Sequence, residues 1–311
     1  MARLLAALFA LGFFAVFLAT QAAAGDARTR IGYGLLITND VFGDTHDRWR
    51  TGSFASSLVL GAPSHAEALP ERLGALLEIR FNGEVIAPEN LANPAPADRP
   101  YAQALSLGLH SHFQRSGVEY ALGADLVFTG PMVGLDHLQE RLHDITGGRD
   151  ASPAVKAAQI GNDVKPSGVF EMGRSFTVGP NARLRPFFEA RAGVETLARV
   201  GADLTIGGLG QGGLMVRAPV SGHRFVAVGG APRPGLSMVL GADIARVGDS
   251  AYFRSAGPAR LEETRTRARA GLSWQTRRGA SLFYGLTWLD KEFTTQREAQ
   301  VIGSAQLRLR F

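Results

Sequence analysis

Two places in the chain carry residue types that do chemistry. The first is the run Thr38-Asn39-Asp40, followed by Asp44, Asp47 and Thr51. Carboxylate, amide and hydroxyl oxygens grouped this way suit a hard, oxygen-loving cation such as calcium. Each is also an ordinary turn residue. The second is His143. Leu135, Leu138, Leu142 and Ile145 recur at helical spacing within Gly134–Ile145, and Gly147-Gly148 stops that helix. His143 lies beside the apolar stripe, at the helix edge. Imidazole titrates near neutrality and serves as a general base, although a lone histidine in such a place is more often a packing or surface residue. The two places are far apart in sequence, so a fold must bring them together before either means anything.

Composition narrows that fold. The 311 residues are 45% hydrophobic and 20% charged, with 38 glycines, 15 prolines and no cysteine. Disulfide staples, thiol catalysis and thiolate metal sites are thereby excluded. The formal charge is +5, and the lysines are only Lys156, Lys165 and Lys291. The arginine excess suits oxyanion recognition and equally suits a biased genome. Met1–Ala24 reads as a secretory signal: Arg3, the apolar run Leu4–Ala19, then the small residues Ala22-Ala23-Ala24. Beyond Gly25 no stretch approaches the roughly 20 apolar residues of a spanning helix. Residues 25–311 are therefore expected to form one exported domain.

Period-2 alternation fills that domain. In Gln300–Phe311, Val301, Gly303, Ala305, Leu307, Leu309 and Phe311 alternate with Gln300, Ile302, Ser304, Gln306, Arg308 and Arg310. Arg265, Arg267 and Arg269 likewise share one strand face opposite Ala268, Ala270, Leu272 and Trp274. A polar inner face and an apolar outer face are what a barrel in lipid requires. The fold expected is all-β: a transmembrane antiparallel up-and-down β-barrel of about 12 strands, with a short helix in an outer loop spanning about 130–165. Strands are expected near 30–39, 51–61, 71–83, 100–114, 117–128, 166–178, 183–198, 200–215, 234–248, 262–276, 280–290 and 299–311. That count puts both termini on the periplasmic side. The long connections 39–50, 84–100, 129–165 and 248–261 then share the outer rim, where Asn39, Asp40, Thr51 and His143 can converge. Connections 61–70 and 215–234 are longer than periplasmic turns should be.

At these residues the chain resembles a known family. Asn39-Asp40-Val41-Phe42-Gly43 and Asp47-Arg48-Trp49-Arg50-Thr51-Gly52 are similar to the N-terminal motif of the lipid A 3'-O-deacylase (LpxR-like) family. Asp98-Arg99-Pro100-Tyr101, then Leu122-Gly123 through Thr129-Gly130-Pro131, His143 and Gln159-Ile160, resemble its later markers in family order. The C-terminal Phe311 is similar to the terminal signature of outer-membrane barrels. The resemblance implies a bacterial outer-membrane enzyme that removes the 3'-linked acyloxyacyl chain from lipid A of lipopolysaccharide by calcium-dependent ester hydrolysis. It further implies a monomer working on the outer leaflet, with no nucleic-acid partner. Asn39, Asp40, Thr51 and His143 match the family's active-site positions. His143 would be the base acting on water, and Asp40 with Asn39 would hold calcium. Three departures stand out: Arg50-Thr51-Gly52-Ser53 replaces a Tyr-Thr-Asn-Gly form, a tryptophan before Gln159 is missing, and loop 84–100 has no lysine. Any cation there would have to come from Arg99 or another arginine.

Other classes remain on the sequence alone. A non-enzymatic barrel, channel or structural, would also place arginines inside. A metal-free serine-histidine deacylase would need a pair such as His110-Ser111-His112, whose strand end falls on the periplasmic side. A soluble periplasmic β-protein would alternate too.

Overall fold

A computed structural model describes residues 28–309. The expected signal Met1–Ala24 and the terminal Phe311 lie outside the described residues. Fifteen strands run in chain order: β1 Thr29–Asn39, β2 Trp49–Gly61, β3 Leu77–Ala87, β4 Ala102–Arg115, β5 Val118–Thr129, β6 Asp163–Gly173, β7 Phe176–Gly179, β8 Ala182–Ala192, β9 Glu195–Ile206, β10 Leu214–Arg217, β11 Arg224–Val228, β12 Gly235–Ser250, β13 Thr264–Gln275, β14 Ser281–Leu289 and β15 Gln300–Arg308. The helices α1 Leu135–Thr146 and α2 Pro153–Ala157 both sit in the connection between β5 and β6.

Twelve of the strands form a closed antiparallel barrel, because β15 pairs with β1 and β6 pairs with β8. The short β7 continues the wall beside the lower end of β8. Closure leaves no unpaired edge, which lipid would not tolerate. The alternation decides which face is which. Leu236, Leu272, Trp274, Leu282 and Leu307 are each at least half exposed on the outside. On the inside, Arg265, Arg267 and Arg269 are buried and paired: with Glu195 at 2.9 Å, Asp243 at 3.0 Å and Asp203 at 2.6 Å. Low dielectric makes unpaired charge costly, so the lumen is built as an ion-pair lattice. Glu78 belongs to it, accepting from Arg80 at 2.7 Å and lying 2.7 Å from His112.

The long 207–234 connection is explained by β10 and β11. They form a separate two-stranded hairpin that enters the lumen from the periplasmic end. Leu214, Val216, Phe225, Ala227 and Val228 pack there with Leu36, Val59 and Phe283 as the largest apolar cluster. Its tip is tethered where Thr287 Oγ1 donates to Ser221 O at 3.0 Å and Arg267 donates to Pro219 O at 2.9 Å. Gly34 on β1 makes room: a Cβ there would lie 2.6 Å from Val226 O. The long 61–77 connection carries a 3₁₀ turn at Pro63–Ala66, and Ala66 and Leu69 pack beneath the same cluster.

Several boundaries differ from the sequence reading: the strand expected over 200–215 already ends at Ile206, and the one expected over 166–178 is Asp163–Gly173 followed by the separate β7. The third strand begins at Leu77 rather than near 71, because the chain before it binds the end of β4, with Gln114 N donating to Pro70 O at 2.8 Å. The turn between β8 and β9 falls at Gly193, φ +141°, not near 198–200. Gly201 sits inside β9, where a Cβ would be 2.5 Å from Ala242 O.

Candidate functional site at the outer rim

The loop after β1 folds around one buried carboxyl group. Asp40 is wholly buried, its N–H donates to Thr51 O at 3.2 Å, and its Oδ2 accepts from Arg48 N at 2.9 Å. Asp40 Oδ1 has no hydrogen-bond partner. Burial pushes the Asp40 carboxyl up to about 8, against the Arg48 N–H, and the neighbouring charge of Asp47 pushes the same way. The pairing of β2 with β3 slips by one residue at Thr51, a bulge that re-aims its side chain. Thr51 Oγ1 donates to Asp47 Oδ1. Thr45 and Trp49 both hold positive φ, 65° and 52°, so the loop's shape is maintained against backbone preference.

The second half of the site comes from outside the wall. Val85 and Ala87 alternate onto the outward face of β3, yet they are buried, because Leu135 of α1 and Val155 of α2 cover them together with Tyr101. Polar contacts fix the layer: Tyr101 Oη donates to Gln139 Oε1 at 2.7 Å, and Gln103 Oε1 accepts from Asp136 N at 3.1 Å. Gln103 Nε2 in turn donates to Gln159 Oε1 at 3.1 Å. The helix therefore lies against the barrel's exterior, and His143 points from it toward the first loop. His143 Nε2 is 3.1 Å from Asp47 Oδ2, and Nδ1 is 3.2 Å from Asp150 Oδ1, with the side chain 11% exposed.

Asp40, Thr51 and His143 are thus brought together, and Asp47 is the residue that joins them. Asn39 is nearby but differently engaged: its Oδ1 accepts from Val41 N at 2.8 Å, a local turn bond. Asp47 stood in the sequence cluster without being singled out, though the Asp47-Arg48 pair was a motif marker. Asp150, Gln139 and Tyr101 were missed as site neighbours, since partners supplied from a loop leave no periodic signal. Arg99 does not supply the cation expected near the site. It is buried, donates to Glu292 Oε2 at 2.5 Å and stacks 4.8 Å over Phe253. The His110-Ser111-His112 alternative also falls away. His110 pairs with Asp125 at 3.0 Å and His112 with Glu78 at 2.7 Å inside the lumen, whereas Ser111 alternates to the other face and its Oγ accepts from Gly74 N at 2.8 Å.

Asp40 Oδ1, buried and without a hydrogen-bond partner, and the neighbouring carboxylate of Asp47, whose buried Oδ2 faces His143 Nε2, form an all-oxygen donor set. That set fits a hard divalent cation. A different trio, Asp136, His137 and Glu140, also clusters among the described residues. Lys156 already lies against both of its carboxylates, 3.5 Å from Asp136, so that trio is neutralised by a side chain.

The family described as "Outer membrane protein LpxR" matches residues 8–311 of this chain. Among solved structures, LpxR from Salmonella typhimurium is similar with a TM-score of 0.69 at 16% identity, over 89% of this chain and 98% of that one. The β domain of the Bordetella autotransporter BrkA gives a TM-score of 0.38 at 13% identity, over 92% of this chain and 100% of that one. No curated protein matches by sequence.

Proposed function

Since the chain belongs to the LpxR outer membrane protein family, we propose that it is a lipid A 3'-O-deacylase, hydrolysing the ester of the 3'-linked acyloxyacyl chain in the outer leaflet. The observation that carries this reading is the position of His143. It sits outside the wall, near the outer rim, between the carboxylates of Asp47 and Asp150, and Asp47 neighbours the buried Asp40.

With Nδ1–H donated to Asp150, 3.2 Å away, Nε2 is the nitrogen that would take a proton from water. Asp47, 3.1 Å from Nε2, stabilises the imidazolium formed. Thr51 holds Asp47 through its other carboxylate oxygen. Asp40 and Asp47 would hold calcium, and Asn39 could join through the second lone pair of the Oδ1 that accepts from Val41 N. Calcium, when bound, polarises the ester carbonyl and stabilises the oxyanion. The α1 layer over Val85 and Tyr101 closes one side of the site from bulk water.

A channel reading is disfavoured by the lumen, which is filled by the hairpin and by paired arginines. The test is direct. Purified protein with lipid A in detergent and calcium should release the 3'-linked acyloxyacyl chain, detected as a mass loss, and chelator should stop it. Unchanged lipid A under both conditions would refute the proposal.

A further inference from the structure

Strand register lays out one row of residues across the outside of the wall, just below the rim. Leu286 pairs with Gly303, Gly303 with Asn39, Asn39 with Gly52, Gly52 with Val85, and Val85 with Gln103. Paired residues share a face, and Leu286, 40% exposed, marks it as the lipid-facing one.

Two structures stand on that row. One is the loop after Asp40, which turns outward and exposes Val41 and Phe42. It is clamped against β14 and β15: Tyr284 Oη donates to Phe42 O at 2.6 Å, and Asp44 N donates to Val301 O at 3.0 Å. Glycines allow the contact, since a Cβ on Gly303 would lie 2.2 Å from Phe42 O and one on Gly43 would lie 2.1 Å from Val301 O. The other is the α1–α2 layer, which covers Val85 and Gln103.

Between the two lips only Asn39 and Gly52 floor the wall. A Cβ on Gly52 would meet Asn39 Nδ2 at 3.4 Å and nothing else within 4 Å among the described residues. Gly52 has no positive φ, so its backbone does not require glycine. The missing side chain instead leaves space. From Gly303 to Val85 is three inter-strand steps, about 14 Å at roughly 4.8 Å each. One row lower, toward the bilayer centre, Ile37 pairs with Phe54 and Phe54 with Gly83. Ile37 is 49% exposed, and the Phe54 ring lies over Gly83 and tilts against Phe81 at 5.3 Å. The open floor therefore leads onto an apolar ramp continuous with the lipid-facing belt.

We propose that this gutter seats an acyl chain of the lipid substrate. Gly52 is the position that leaves room for the chain beside the reacting ester, and Phe42 is the lip that sets the width. The proposal deepens the deacylase reading and rests on it for the identity of the substrate.

The experiment uses the full chain in vesicles of lipid A and phospholipid. Gly52→Leu should slow chain release on the order of 10²-fold, the usual cost of displacing a substrate by about an ångström. It should keep the heat-modifiable gel mobility of a folded barrel. Gly52→Ala should lose less, and Phe42→Ala should widen the range of chain lengths accepted. A wild-type rate and chain-length profile in Gly52→Leu would overturn the gutter; should that variant fail to fold, the same criterion passes to Gly52→Ala and Phe42→Ala. A second readout needs no activity. The chain has no cysteine, so Gly52→Cys takes a single environment-sensitive fluorophore. Lipids brominated along the acyl chain should quench it, and should not quench the same label on Val85→Cys beneath α1. No quenching at position 52 overturns the gutter, whereas quenching with an inactive wild type overturns the deacylase reading and leaves the gutter standing.

Discussion

His143 is where enzyme and scaffold part company. As general base it should cost on the order of 10²–10⁴-fold in rate when replaced by alanine, with little effect on folding, because it stands at the edge of an exposed helix. His137 is the internal control. It lies on the same helix with its side chain 75% exposed, 3.4 Å from Glu140 and away from Asp47. His137→Ala should keep its activity in a lipid A deacylation assay at matched protein levels. Equal rates in both variants would leave His143 a surface residue. The carboxylate pair makes a separate prediction. Asp40, pushed up to about 8 chiefly by burial, is poorly placed to be charged beside Asp47 without a counter-cation. Calcium should therefore raise the unfolding temperature of the wild type and shift it far less in Asp40→Ala or Asp47→Asn. An identical shift in all three would move the cation elsewhere.

At the scale of elements, the lumen hairpin is the part whose role is most open to test. Gly34→Leu puts side-chain atoms where Val226 O already lies 2.6 Å from the Cβ position. Overpacking of this kind costs about 1–3 kcal/mol, so the temperature at which gel mobility converts to the unfolded form should drop. Glu78→Leu should cost more, about 3–5 kcal/mol, because it strands the Arg80 guanidinium in a buried setting. The barrel strands were legible in the sequence because alternation is a local property that lipid and a polar lumen enforce residue by residue. Arg265, Arg267 and Arg269 announced an inward face before any partner was known. The hairpin was not legible. Leu214, Val216, Phe225 and Val228 are apolar residues facing apolar residues, and nothing in their spacing says that the surface they cover is inside a barrel. Asp40, Thr51 and His143 could be named from motif and topology, whereas the joining role of Asp47 depends on a bulge at Thr51 that sequence periodicity does not reveal.

On the scale of the whole molecule, the architecture sorts chemistry by depth. Ion pairs and the hairpin fill the lumen, an apolar belt faces lipid, and the polar site sits outside the wall beneath a helix, where the proposed outer-leaflet substrate would arrive sideways rather than through a pore. Nothing in this arrangement calls for passage through the barrel. Deleting the hairpin should instead create passage, seen as ion conductance in a planar bilayer that the intact protein lacks. The most direct test of the account is the mass of lipid A from a bacterial host expressing this chain. Wild type should yield lipid A lighter by the 3'-linked acyloxyacyl chain when calcium is present, and His143→Ala at the same outer-membrane level should yield unmodified lipid A. Unmodified lipid A from the wild type, or the same mass loss from His143→Ala, would contradict it.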